Sequence, residues 1–313
     1  MKTKIIIGSR GSKLALTQAA IVKAQIQSSY PDLKVSVEII QTSGDVKTEP
    51  LSLIGGKGVF TKELEEVLLD SRIDMAVHSL KDLPTTIPEG LTIAAICKRE
   101  DPRDALVLSH NRGGVAGNSP IDLSALAKGS VVGTSSPRRL AQLKHLRGDL
   151  VFKDLRGNVD TRLRKLDQGE YDALLLACAG LRRLGLENRI SAALSTEQIL
   201  PAVGQGALAV ETRADDEETI AIAGSLDHKF TRLACLAERA FLRTLGGGCL
   251  LPIAAHAVVR DKRIRLNGLV CDPHGRQVMR DRDTGPLDSA ESLGNDLAAR
   301  LLASGAADLL AEE

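Results

Sequence analysis

The 313-residue chain has no tryptophan and only six aromatic residues, two Tyr and four Phe. That is too few ring faces for recognition of bases or sugars by stacking. It also lacks a charge excess: 41 Lys and Arg stand against 40 Asp and Glu, a net charge of +1. Nucleic-acid or membrane binding by a broadly basic surface finds no support in that balance, and neither partner is expected. No apolar run approaches a membrane span. Ile5-Ile6-Ile7 is the only N-terminal apolar stretch before Gly8-Ser9-Arg10 and is too short for a signal-peptide core. The five cysteines are odd in number and contain no C-x-x-C pair, which gives neither a disulfide framework nor a zinc pattern. The expectation is a reducing, cytoplasmic setting and no metal. Phosphate-loop patterns are missing too. Gly55-Gly56-Lys57-Gly58 is followed by no Lys-Ser/Thr of the required spacing and forms no G-x-G-x-x-G, so ATP and NAD binding are set aside; the stretch reads equally as a lid or a plain connector.

What is present begins with ordinary globular content, 43% hydrophobic and 26% charged, in a chain long enough for two or three domains. Ile5–Ile7 reads as a buried strand. A helix capped by Ser12 carries Leu14, Leu16, Ile21, Val22 and Ile26, and Val35, Val37 and Ile39 alternate as the next strand. This βαβ unit offers the free N–H groups of a helix start, beside Arg10 and Ser12, at the carboxyl end of a strand, where open α/β sheets bind ligands. The design repeats after strand Val131-Val132. In Gly133-Thr134-Ser135-Ser136-Pro137-Arg138-Arg139, Ser136 suits the cap and Pro137 the first helical position, and the two arginines complete an anion cradle. Adjacent helical residues point about 100° apart, so Arg138 and Arg139 need not serve one group. Between positions 131 and 165 nine Lys and Arg face three Asp, including Arg156 before a helix capped by Asn158, and Arg162 one turn in; Arg183 follows the next strand. A lone arginine is usually a solvated surface cation. Arginines recurring at strand-to-helix turns are suited to gripping carboxylates or phosphates bidentately.

Between these halves, His78-Ser79-Leu80-Lys81-Asp82-Leu83-Pro84 places Asp82 just past a strand. It is a turn former as readily as a cleft carboxylate able to accept a proton or face a developing cation. Charged, Pro-containing Arg99–Asp104 marks a crossing between lobes, with the return near Ser195–Ala202, before strand Leu208–Val210 rejoins the first lobe. Residues 110–120 form a polar insertion that reads as a surface loop. Beyond Asp227 the pattern changes to helix Thr231–Leu245, strands Ile253–Val259 and Ile264–Cys271, and helix Ser289–Ala303, a small α+β unit. Its special feature is Gly246-Gly247-Gly248-Cys249. Gly246 suits a helix cap, and the bareness of the loop also suits close approach of another molecule to the thiol. Cys97, Cys178, Cys235 and Cys271 all read as core.

In this order the motifs Gly8–Ser12, Gly55–Gly58, His78–Pro84, Arg99–Asp104, Gly133–Arg139, Leu155-Arg156-Gly157-Asn158, Pro201–Ala207 and Gly247-Gly248-Cys249 closely resemble the porphobilinogen deaminase family over essentially the whole chain. The resemblance implies an α/β fold of two periplasmic-binding-protein-like (type II) lobes plus a small α+β C-terminal domain. Residues 1–101 with 200–224 would form domain 1, 102–199 domain 2 and 225–313 domain 3. It further implies a transferase that condenses four porphobilinogens head to tail onto a dipyrromethane cofactor held by a thioether to Cys249. Four ammonias and, after hydrolysis, linear hydroxymethylbilane would be released. By the same resemblance Asp82 is the catalytic carboxylate. Cys249, Lys81, Asp82, Thr134, Ser136, Arg138, Arg139 and Gly157 hold the cofactor, and Arg10, Ser12, Arg156, Arg162, Arg183 and Gln205 bind substrate. The partners are porphobilinogen and its oligomers, and the family state is a monomer. Against this stands a non-catalytic two-lobed binder of an anionic small molecule, which accounts for the arginines and lobes but not for the Cys249 loop or the third domain.

Overall fold

The computed structural model describes residues 2–42, 61–109, 122–248 and 251–311. The Gly55–Gly58 stretch, the 110–120 insertion and Cys249 lie outside the described residues.

The first sheet is built by β1 (Lys4–Ser9), β2 (Lys34–Ile39), β3 (Met75–Ser79), β4 (Leu91–Ile96) and β10 (Leu208–Arg213), in the order β2-β1-β3-β10-β4. β1 runs parallel to β2 and β3, and β10 is antiparallel to both its neighbours. The triple Ile5-Ile6-Ile7 explains why β1 is central: Ile5 and Ile7 are fully buried beneath helix α1 (Lys13–Ser29), whose Ala19, Val22 and Ile26 are buried against them. Such burial is the main favourable term in holding the layers together. On the other face lies α2 (Lys62–Leu69), through Leu64 and Leu68.

The second sheet contains β5 (Asp104–Leu108), β6 (Val131–Gly133), β7 (Val151–Lys153), β8 (Ala173–Ala177) and β9 (Ala192–Ala193), in the order β7-β6-β8-β5-β9. Here β5 is the antiparallel member against β8 and β9. The parallel core strands are connected through helices, as parallel pairing requires: α3 (Pro137–Leu146) after β6 and α4 (Val159–Asp167) after β7, with the short α5 (Cys178–Arg183) after β8. In each sheet the antiparallel strand is the one that immediately follows a crossing between lobes. The crossings run through residues 97–103 and 194–207. Two mixed sheets with exchanged strands are the expected binding-protein-like pair.

After α6 (Glu217–Gly224), α7 (Lys229–Thr244) leads to the antiparallel meander β11 (Ile253–Arg260), β12 (Arg263–Cys271) and β13 (Val278–Pro286), then α8 (Ala290–Ala303) and α9 (Ala306–Ala311). One core joins Phe241 of α7, Leu266 of β12 and Leu297 of α8. The sequence pattern shows two of these strands and misses β13. Its Arg280-Asp281-Arg282-Asp283 run has no apolar alternation to read, yet it pairs with β12 residue by residue from Cys271↔Val278 to Arg263↔Pro286. Charged side chains suit an edge strand, where they discourage pairing with another chain.

This domain is fixed to both lobes. The fully buried Glu238 of α7 accepts from Arg99 Nη1 (2.5 Å) and Nη2 (3.1 Å) in the first crossing, from Gly204 N (2.7 Å) in the second, and from Ala257 N (2.7 Å) in β11. On the second lobe, His145 Nδ1 lies 3.1 Å from Gly275 O, and Arg280 donates to Thr196 O and Glu197 O. Removing Glu238 would leave Arg99 buried without its anion and two N–H groups without acceptors. Glu238→Ala is expected to lower stability by about 3–5 kcal/mol, measured by urea unfolding; a loss below about 1 kcal/mol would mean that the pair adds little to the junction.

Candidate active site

Asp82 is placed by the end of β3. Ser79 leads into a single 3-10 turn, Leu80–Asp82, in which Leu80 is buried and Asp82 exposed. Pinning the apolar residue of the turn turns the carboxylate outward. It opens on a pocket shared with Arg10 and Ser12, from the β1-to-α1 turn, and with Gln18, His78 and Ser79. Ser12 is the helix cap: its hydroxyl oxygen accepts from Ala15 N at 3.3 Å, which leaves its O–H as a donor. Gln18 Nε2 donates to Ser79 Oγ at 3.0 Å, fixing the pocket wall.

Across from it stands the turn after β6. Pro137 occupies the first helical position and Ser136 the cap position, but the Ser136 hydroxyl makes no cap bond; instead Ser136 N donates to the buried Thr134 Oγ1 at 3.3 Å. Ser135 Oγ donates to Leu155 O and accepts from Leu155 N, tying this turn to the next one. There Gly157 has φ +105°, and a Cβ at that position would lie 2.7 Å from Thr161 Cγ2, so the turn needs glycine. Asn158 caps α4 by accepting from Thr161 N. Arg162 Nε donates to Gly157 O at 2.7 Å, and Arg156 is half-buried in the same turn.

Arg138 and Arg139 start the helix of the turn after β6. They are expected among the cofactor contacts; both are buried, and both grip Asp104 at the start of β5. Arg138 donates through Nη1 (2.7 Å) and Nη2 (3.2 Å), and Arg139 through Nε (2.9 Å) and Nη2 (2.7 Å). Their Cα directions differ, as helical geometry requires, but two long side chains converge on one carboxylate. Burial alone would raise the Asp104 carboxyl; the two guanidinium groups outweigh it and hold the group well below the usual carboxylate range. Gln205, expected among the substrate contacts, joins the same cluster. It is fully buried, with Nε2 donating to Pro102 O (2.7 Å) and Asp104 Oδ1 (3.0 Å) while Oε1 accepts from Lys81 Nζ (3.3 Å). Arg183 lies at the second crossing, donating to Gly206 O at 2.6 Å. Asp104, Glu238 and Arg99 were legible only as charged residues of a boundary segment and a helix; a charge that will be buried carries no mark in a single sequence.

The electrostatics converge on the space beside Asp82. Burial pushes the Lys81 amine down to about 8, with Asp82 opposing and Arg139 adding to the fall. Burial likewise pushes Arg162 down to about 10, helped by Arg139 and opposed by Asp82. The same carboxylate acts on both cations, one from each lobe. A molecule bearing several carboxylates would favour the charged forms of both, so this donor set fits a carboxylate-rich pyrrole group. Cys97, Cys178, Cys235 and Cys271 are buried free thiols, pushed up by burial to about 11 for Cys97 and about 12 for the other three, and hence unreactive. Before Cys249 the chain is described: Gly246 has φ +65°, its N–H donates to Arg243 O, and Gly247 N–H donates to Leu242 O, both at 3.0 Å, which closes α7 as a glycine cap. Among the described residues no cluster of His, Cys, Asp and Glu could hold a metal ion.

Known proteins can now be compared. Residues 5–221 match the family model for the porphobilinogen deaminase dipyromethane cofactor binding domain, and residues 232–303 match the model for the porphobilinogen deaminase C-terminal domain. The chain is 49% identical to a porphobilinogen deaminase of Chromobacterium violaceum, over 98% of this chain and 97% of that one. It is also 49% identical to one of Synechococcus elongatus, over 98% and 95%. Among solved structures it is similar to the probable amino-acid ABC transporter extracellular-binding protein ytmK from Bacillus subtilis, with 12% identity, coverage of 72% of this chain and 91% of that one, and a TM-score of 0.41. With both family models in sequence order and half the residues shared with relatives along nearly their full length, the chain belongs to the porphobilinogen deaminase family.

Proposed function

We propose that this chain is a hydroxymethylbilane-forming porphobilinogen deaminase, a transferase of tetrapyrrole biosynthesis, and that Asp82 is its catalytic carboxylate. The observation that carries the assignment is the meeting of Asp82 with two cations depressed by burial, Lys81 and Arg162, which approach it from opposite lobes. A cleft of that charge pattern attracts a substrate with two carboxylates and one amine: the acids go to the cations and the aminomethyl nitrogen to the one anion. Arg10 and the Ser12 hydroxyl take a substrate carboxylate on the first lobe, and Arg156 and Arg162 take others on the second. Asp82 then sits where positive charge grows as ammonia leaves, and an anion fixed there lowers the barrier because it is already oriented. Thr134, Ser136 and Gly157 line the second-lobe turn for the cofactor. Arg138 and Arg139 hold the floor of that turn through Asp104, and Gln205 orients Lys81. Arg183 supports the same cleft from the crossing.

The dipyrromethane group, when bound through Cys249, supplies the pyrrole carbon to which the first porphobilinogen is joined. The domains follow as 1–101 with 200–224, 102–199 and 225–313, and the enzyme works as a cytoplasmic monomer. Four buried, protonated thiols are in keeping with a reducing compartment.

Asp82→Asn is expected to lower kcat by at least about 100-fold while porphobilinogen still binds through its carboxylates; near-normal turnover would remove Asp82 from catalysis. Intact-protein mass spectrometry should show two pyrrole units above the sequence mass, absent in Cys249→Ala. A bare sequence mass in a protein that turns over without a lag would sink the cofactor assignment. Lys81 loses its proton as pH rises through about 8, so its pull on a carboxylate fades above that pH. In Cys249→Ala, calorimetry should find porphobilinogen binding several-fold weaker at about pH 9 than at pH 7, and Lys81→Met should abolish most of that difference.

A further inference from the structure

Beneath the floor of the Asp82 pocket lies a set of titratable side chains with no role in the reading above. In the ladder between β3 and β10, His78 faces Ala209 and Ala76 faces Glu211, so Glu211 is the diagonal neighbour of His78 on one side of the sheet. His78 Nε2 is 3.0 Å from Glu211 Oε2, and the two residues are 5% and 0% exposed. α2 brings a second carboxyl to this place: Glu65, 8% exposed, is raised from its ordinary value by burial first, against a Thr61 hydrogen bond, and further by the charge of Glu211, with His78 opposing. Glu65 Oε1 and Glu211 Oε1 are each buried without a hydrogen-bond partner.

Two carboxylates with partnerless oxygens buried close together repel, and each orphan acceptor is costly. A proton held among the three groups relieves both costs. The other charged groups around them are Glu66 on α2, Arg239 of α7, which is acted on by Glu211, and Arg10 and Asp82 across the pocket. Of the three, His78 alone lines the pocket.

We propose that Glu65, Glu211 and His78 form a proton-sharing row that opens on the pocket through His78 and takes up and returns the proton released at each addition. This deepens the deaminase reading and rests on it. In every addition the carbon–nitrogen bond of one aminomethyl group breaks, its electron pair leaving on ammonia. A carbon–carbon bond forms from the electron pair of a pyrrole carbon, that carbon loses its proton, and ammonia departs as ammonium. Nothing is oxidised or reduced, and a single proton needs a temporary holder. Glu211 and Glu65 act through His78 and are positioning residues.

Glu65→Gln tests the row, since it keeps the shape and the Thr61 contact but can never carry the negative charge that retains a proton on its neighbours. The expected result is a kcat at least about tenfold lower with the KM for porphobilinogen within about twofold. The limb of the kcat–pH profile that the row governs should move to lower pH by about half a unit or more. A folded Glu65→Gln whose kcat–pH profile superimposes on that of the unaltered enzyme overturns the proposal. Should that variant not fold, the His78 imidazole of the unaltered enzyme, assigned by NMR through His78→Gln, decides the matter. Titration coupled to a second group supports the row, and a single-step titration like that of a solvated histidine overturns it. If the unaltered enzyme makes no hydroxymethylbilane, the deaminase reading fails by itself, and the imidazole titration still reads the row.

Discussion

Asp104 is the point on which the two lobes depend. It is a carboxylate with no solvent, and removing it from water would be prohibitive without the four donor contacts from Arg138 and Arg139 and the fifth from Gln205. Those partners come from a helix start of the second lobe and from the returning crossing, while Asp104 begins the strand that follows the outgoing one. A single ion cluster therefore sets the relation between the second-lobe turn and both connecting segments. Gln205 extends it in two directions: its side chain reaches Lys81 beside Asp82, and its carbonyl accepts from Arg99 Nε at 2.7 Å. Arg99 in turn belongs to Glu238 in the third domain.

This continuity has an electrostatic result at the site. Arg138 and Arg139, nearest the hinge, share the single carboxylate of Asp104, so a net positive charge stays there, and Arg139 still acts on Lys81 and Arg162. Lys81 and Arg162, on which Asp82 acts from either lobe, are both held below their ordinary values by burial. The third domain is braced against the same framework, with Arg239 donating to Pro84 O at 2.7 Å just beyond the Asp82 turn. The helix that ends at the Gly246 cap is therefore in direct contact with the segment that carries Asp82.

Much of this was legible from residue types because local rules governed it. Ser12 and Asn158 cap the helices they precede, Pro137 takes the first helical position, and Gly246 closes α7, each through a bond or dihedral available within a few residues. The return of β10 to the first sheet was legible from the apolar run after a glycine-rich segment. The hidden features were those set by partners distant in sequence. Asp104 looked like one charge in a polar hinge, Gln205 like a polar cleft residue, and Arg138 and Arg139 like outward cations, since burial is decided 34 to 101 positions away. β13 was hidden for a related reason: its ladder supplies the order that its side chains do not announce. The distance from His78 to Glu211, 133 positions, left that pair equally silent.

The strand exchange between the sheets also sets an order of events during synthesis. Residues of β5 to β9 form an uninterrupted stretch of chain, so the second sheet has all its strands once residue 193 has emerged. The first sheet starts earlier but lacks β10, the strand that separates β3 from β4, until residue 213 has followed. On the ribosome the N-terminal lobe must therefore wait with a gap at its centre while the lobe inserted within it is completed, the reverse of simple N-to-C domain-by-domain folding.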